Sequence, residues 1–211
     1  MQSRLHDPGV SALLDRLYDI ADHDDEVRPA VPSDLTAQER ADAMAGVAMP
    51  VSREGGRLLY SLVRAARPDT VVEFGLSMGI STLFLAAAVA DNGHGHVITT
   101  ELSARKVELA TAHLGEAGLL DHVEIRHGDA LETLADVEAP IGVVLLDGWK
   151  DLYLPVLHLL EPKLAPAAMV IGDDSTFPQL RDYLAYVRDP ANGYVSTNFP
   201  VEDGMEISCR A

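Results

Sequence analysis

The sequence predicts a doubly wound α/β fold, a mostly parallel sheet with helices on both faces, on three observations. Five short runs rich in Val and Ile, TVVEF, HVITT, HVEIR, IGVVLL and AMVIG, follow one another between residues 70 and 172. Helical patterns stand between them: ISTLFLAAAVA, SARKVELATAHLGEAG, DALETLADV and DLYLPVLHLLEPKL. Strands alternating with helices pair in parallel, because each crossover helix returns the chain to the same end of the sheet. Two further strand-like runs, YVSTNF and MEISCR, are joined only by the turn-like PVEDG, which predicts an antiparallel hairpin at one edge. The expected sheet therefore has seven strands.

The elements before the sheet are helical. Residues 10–22, VSALLDRLYDIAD, carry apolar residues at helical spacing. HDDEVRPAVPS, which follows, is acidic and holds two prolines, so it reads as a loop. Thr36 and Glu39 in TAQE form a capping box that starts a second helix, and Ser52 caps a third, REGGRLLYSLVRAAR. Within the sheet region, Pro155 falls just after the first turn of its helix and leaves the start of that helix open. A last helix, FPQLRDYLAYVRD, precedes the hairpin.

Composition sets the class. The chain has 211 residues, enough for one large domain, with 47% hydrophobic and 23% charged residues, which is ordinary for a globular protein. No apolar run approaches the ~20 residues of a membrane span, and MQSRLHDPG lacks the apolar core of a signal peptide. One cysteine, Cys209, excludes an internal disulfide and fits a reducing cytoplasm. The net charge of −17 disfavours a nucleic acid, whose binding needs a face rich in Lys and Arg.

In such sheets ligands sit at the carboxyl ends of the strands, so the residues just after each strand carry the functional signal. After the first strand comes EFGLSMGIS, residues 73–81, where Gly75 and Gly79 permit a tight turn into a helix whose free N–H groups suit an anion. The spacing is not G-x-G-x-x-G, so a dinucleotide-dependent oxidoreductase fits poorly. Glu101 ends the second strand, where a carboxylate can accept from both hydroxyls of a ribose or simply start the next helix. Asp129 in GDA after the third strand can read a base edge or act as an N-cap. After the fourth and fifth strands stand Asp147 and the pair Asp173 and Asp174. Three carboxylates on neighbouring strand ends form the oxygen set expected for a hard divalent cation, unless the pair only caps the next turn.

Together, E-F-G-x-x-x-G-I-S, T-E-L, G-D-A, L-D-G-W-K-D-x-Y-L-P and D-D-S resemble the class I S-adenosylmethionine-dependent O-methyltransferases. The closer resemblance is to the Mg²⁺-dependent group of catechol and caffeoyl-coenzyme A O-methyltransferases. It runs from about residue 49 to the C-terminus and includes MPVS, DYLAYVR and DGMEIS. It implies a Rossmann-like methyltransferase domain over residues 49–211, with residues 1–48 as a helical lid. Carried over, Met49 and Val51 line the methionine part of the cofactor, and Gly75, Ser77, Gly79 and Ser81 hold its carboxylate and amino ends. Glu73 and Asp147 join that cofactor set. Glu101 takes the ribose hydroxyls, while Asp129, Ala130 and Trp149 surround the adenine. Asp147, Asp173 and Asp174 bind Mg²⁺ or another divalent cation. Lys150 is the general base, its pKa lowered by desolvation, and Trp149, Pro178 and Met49 wall the acceptor pocket.

The implied reaction moves a methyl group to a phenolic or catechol-like hydroxyl of a small molecule, in a monomer or homodimer. Methylation of a tRNA wobble hydroxyuridine and noncatalytic cofactor binding are the alternatives. Four positions depart from the family pattern. Gly148 replaces His within D-H-W-K-D-x-Y-L-P, and Asp174 replaces the usual Asn. Thr197 or Asn198 stands near a glutamate of the catechol-specific members, and Val47 where an aromatic gate is expected. The acceptor pocket is therefore expected to be wider or differently polar.

Overall fold

The computed structural model describes residues 3–32 and 34–211. The N-terminal elements are α1 (Pro8–Ala21), α2 (Asp24–Val27), α3 (Ala37–Ala43) and α4 (Arg53–Ala66). Strands and helices then alternate: β1 (Thr70–Phe74), α5 (Ile80–Asn92), β2 (His96–Glu101), α6 (Ala104–Glu116), β3 (Val123–His127), α7 (Ala130–Thr133) and β4 (Ile141–Leu146). The chain ends with α8 (Tyr153–Leu160), β5 (Leu164–Gly172), α9 (Arg181–Arg188), β6 (Tyr194–Phe199) and β7 (Met205–Arg210).

The sheet has seven strands in the order β3-β2-β1-β4-β5-β7-β6. β1 to β5 pair in parallel, and β7 is antiparallel to both β5 and β6, as the missing crossover helix predicts. Strand order reverses between β1 and β4, which opens a crevice above their carboxyl ends. Alternate residues of each inner strand supply the two layers of the core. Val71, Val143 and Ile171 face α4 and α5; Val72, Val144 and Val170 face α8 and α9. α5 is buried almost all round, which accounts for its unbroken apolar sequence.

Local signals set most helix ends. Thr36 and Glu39 make both bonds of the capping box at α3, and Ser52 accepts from the Gly55 amide (3.1 Å) at α4. Three readings change. The acidic segment after α1 is helical over Asp24–Val27, because the Asp24 carboxylate is buried against a later turn; Ser33, at its end, lies outside the described residues. The helix expected over 129–137 is the single turn α7. The helix expected to reach Leu164 stops at Leu160, and a 3-10 turn over Glu161–Lys163 feeds β5. Its start is a 3-10 turn over Lys150–Leu152, so Pro155 sits in the first turn of α8, where no helical donor is lost. No helix among the described residues is long and apolar enough to cross a membrane.

Candidate active site

The turn after β1 is strained in the manner its glycines allow. Gly75 has φ +109°, and a Cβ there would overlap the Asp147 carbonyl, so the ends of β1 and β4 can touch only with glycine. Beneath the turn lies Glu73, fully buried. Its carboxylate accepts from Ser81 (2.7 Å), Thr82 (2.5 Å) and Thr99 (2.6 Å). Burial pushes this carboxyl above the usual range, against the three hydroxyl donors that favour its charge. Glu73 thus props the turn from below, and the Ser81 hydroxyl points down to it rather than into the crevice.

Glu101 closes β2 with both oxygens oriented by backbone, accepting from the amides of Ser77 (3.0 Å) and Ser103 (2.9 Å). Asp129 is the N-cap of α7, accepting from the Leu131 amide (2.8 Å), and Ala130 behind it is buried. The N-terminal segment reaches this edge through Met49, whose φ is +45°. The amides of Ala48 and Met49 donate to the two oxygens of Asp24, both at 2.7 Å, and the Ala48 carbonyl accepts from Ser77 Oγ at 2.6 Å. Val51, buried, accepts from the Tyr18 hydroxyl (2.9 Å). The turn, Glu101 and the Met49 segment are therefore one connected surface.

Beside it lies the acidic cluster. One carboxylate oxygen from each of Asp147, Asp173 and Asp174 falls within 4.8 Å of the other two. Burial, then repulsion by Asp173, holds the Asp147 carboxyl well above the ordinary range. Burial and Asp174 push Asp173 up to about 7. Lys150 Nζ lies 2.6 Å from Asp174 and 3.6 Å from Asp147, and donates to the Tyr153 hydroxyl at 2.8 Å. The expected lowering of the Lys150 pKa is not found. Burial does act in that direction, but the carboxylates of Asp147 and Asp174 outweigh it and raise the ammonium above its ordinary value.

Trp149 is half-buried at the crevice, with the Arg40 guanidinium 4.9 Å above its ring. Pro178 opens a 3-10 turn beyond the acidic pair and is exposed. Gly148 leaves room that the Phe74 ring fills: a Cβ there would overlap that ring. Val47 is 1% exposed and forms no gate, and Asn198 donates to Ser175 Oγ (2.5 Å). Three residues of this region escaped the sequence reading: Asp24, Arg40 and Lys106. Each acts through partners distant in the chain, which local sequence patterns do not reveal.

The groups fit a hard cation and an adenosyl cofactor. The raised carboxyls of Asp147 and Asp173 mark negative charge packed without enough compensation, which is the state a divalent cation relieves. The backbone-held carboxylate of Glu101 keeps accepting capacity for further donors.

Comparison with known proteins gives the family. Residues 72–175 match the family described as a methyltransferase domain. The catechol O-methyltransferase of Sus scrofa is 30% identical over 148 residues, 67% of this chain and 78% of that protein. Catechol O-methyltransferase B of Danio rerio is 31% identical over 175 residues, 76% of this chain but 65% of its own length, so the chain spans about two thirds of that relative. A methyltransferase structure from Geobacter sulfurreducens superposes with TM-score 0.68 at 25% identity, covering 92% of this chain and 96% of its own. Fold and site define a Rossmann-like methyltransferase. The chain belongs to the class I S-adenosylmethionine-dependent O-methyltransferases, in the catechol and caffeoyl-coenzyme A O-methyltransferase group.

Proposed function

We propose that this chain transfers a methyl group from S-adenosylmethionine to a phenolic or catechol-like hydroxyl of a small molecule, with a divalent cation at the acidic cluster. The observation that carries the reading is the convergence of Asp147, Asp173, Asp174 and Lys150 beside the turn after β1. Asp147, Asp173 and Asp174 would hold the cation, which supplies positive charge to the acceptor oxygen and favours its ionised form. A phenol needs that help, because its unperturbed pKa is about 10. Lys150 stands where it can take the acceptor proton once those carboxylates are engaged and burial prevails.

Residues 1–48 act as the lid in this reading, with Met49 and Val51 against the methionine part of the cofactor. Glu101 takes the ribose hydroxyls; Asp129, Ala130 and Trp149 enclose the adenine; Trp149, Pro178 and Met49 bound the acceptor. Aligning oxygen, methyl carbon and sulfur in a closed crevice does the rest of the work. A chain of net charge −17 suits a small acceptor better than tRNA, and a reducing cytoplasm suits its single cysteine.

Calorimetry with S-adenosylmethionine, followed by a methylation screen over catechols and other phenols with and without EDTA, tests this. Binding of the cofactor and EDTA-sensitive transfer are expected. No cofactor binding, or transfer that survives exhaustive EDTA treatment, overturns the reading.

A further inference from the structure

Lys106, on the first turn of α6, is 3% exposed and makes no ion pair among the described residues. Its ammonium has three donors, yet among the described residues it makes one hydrogen bond, to Ser77 Oγ at 2.9 Å. Burying a charge is costly, and hydrogen bonding offsets little of that cost here. The carboxylates of Glu101, Asp24 and Asp147 face it and favour its charge, Arg28 opposes it, and burial leaves it below the ordinary lysine value.

The surroundings give it a use. Ser77 Oγ, which accepts from Lys106, donates to the Ala48 carbonyl. The Ala48 and Met49 amides in turn donate to Asp24, while the Ser77 amide donates to Glu101. A single ammonium on α6 therefore stands behind the bond that fastens the Met49 segment to the turn after β1. We propose that Lys106 is a positioning residue of the cofactor crevice, fastening the Ala48–Ser77 contact and giving the crevice a fixed positive charge. This rests on the function proposed above, and it concerns which charge state of the cofactor the crevice prefers.

S-adenosylmethionine carries a sulfonium; its product S-adenosylhomocysteine is the neutral thioether. A fixed ammonium in the same crevice disfavours the first relative to the second, which opposes tight substrate binding but favours the charge loss that accompanies transfer. Lys106→Met removes the charge at similar volume, a replacement that buried ionic sites often tolerate. Calorimetry on the whole chain is expected to show the affinity ratio of S-adenosylmethionine to S-adenosylhomocysteine rising about tenfold in that variant. A tenfold change corresponds to about 1.4 kcal/mol, the weight of one charge acting on another through partial screening. Amide hydrogen exchange at Ala48 and Met49 is expected to speed up in the same protein, and Lys106→Arg to restore both readouts. Ser77→Ala, which cuts the fastening, is expected to speed exchange at the same two amides. It also supplies a reading if the Met variant does not fold. An unaltered ratio in folded Lys106→Met, or unaltered exchange in Ser77→Ala, overturns the proposal. Wild-type protein that binds neither ligand overturns the function itself.

Discussion

Asp174 shows how one residue can be read both in the backbone and in the site. Its φ is +58°, a left-handed conformation that Asn and Asp tolerate better than other side chains bearing a Cβ. The turn therefore accepts either residue, and the choice of Asp over the family's Asn concerns charge alone. Asp174 is also the closest carboxylate to the Lys150 ammonium, at 2.6 Å. Asp174→Asn should fold normally, keep an oxygen towards the cluster and leave two full charges there. In a methylation assay its half-saturating Mg²⁺ concentration is expected to rise about three- to tenfold, the weight of about 1 kcal/mol. An unchanged Mg²⁺ dependence would show that Asp174 serves Lys150 and not the cation.

At the scale of elements, two ion pairs tie down the antiparallel end of the sheet, Arg210–Glu161 and Arg188–Glu206, and the second holds the more deeply buried carboxylate. Glu206 of β7 is fully buried and accepts from Arg188, the last residue of α9, at 2.8 and 2.7 Å. Arg188→Met strands that carboxylate, at a cost of about 2–4 kcal/mol because the arginine itself is half exposed. A fall in Tm of roughly 5–12 °C is expected, and adding Glu206→Leu should recover most of it. A single variant that melts within about 1 °C of wild type would assign the stability of this edge to its apolar contacts instead. This pairing was not legible in the sequence, and the same reason explains the other omissions. Strand and helix periods, the capping box at Thr36 and the turn glycines are local, so the sheet, its hairpin and most helix starts could be read directly. The acidic cluster was legible because parallel strands bring their ends together by rule. α2 was missed because Asp24 is helical and buried only on account of the Ala48 and Met49 amides, 24 and 25 residues away. Lys106 looked like any helix-surface lysine in SARKVELA, and Lys150 looked like a base with a lowered pKa until its two carboxylate neighbours were seen.

For the whole molecule, the acidic cluster couples stability to pH and, on the proposed function, to a divalent cation. Asp147 and Asp173 titrate above their unfolded values, Asp173 at about 7 against 3.8, with burial and mutual repulsion as the causes. Between about pH 4 and pH 7 the metal-free folded chain therefore holds protons that the unfolded chain has released. Stability from these groups is fully present below the unfolded value and is lost as pH rises through the folded one. A divalent cation competes with those protons, so it binds more tightly as pH rises through the same window. Thermal melts with EDTA and with Mg²⁺ should coincide near pH 5 and separate progressively towards pH 8. At about a hundredfold excess over Kd the cation contributes about 2.7 kcal/mol, or roughly 5–10 °C for a chain of this size. Taking the difference between paired melts cancels the general self-repulsion of a chain with net charge −17, which changes with pH in both samples alike. A separation that is absent at pH 8, or that is constant from pH 5 to pH 8, would mean that these carboxylates hold no cation.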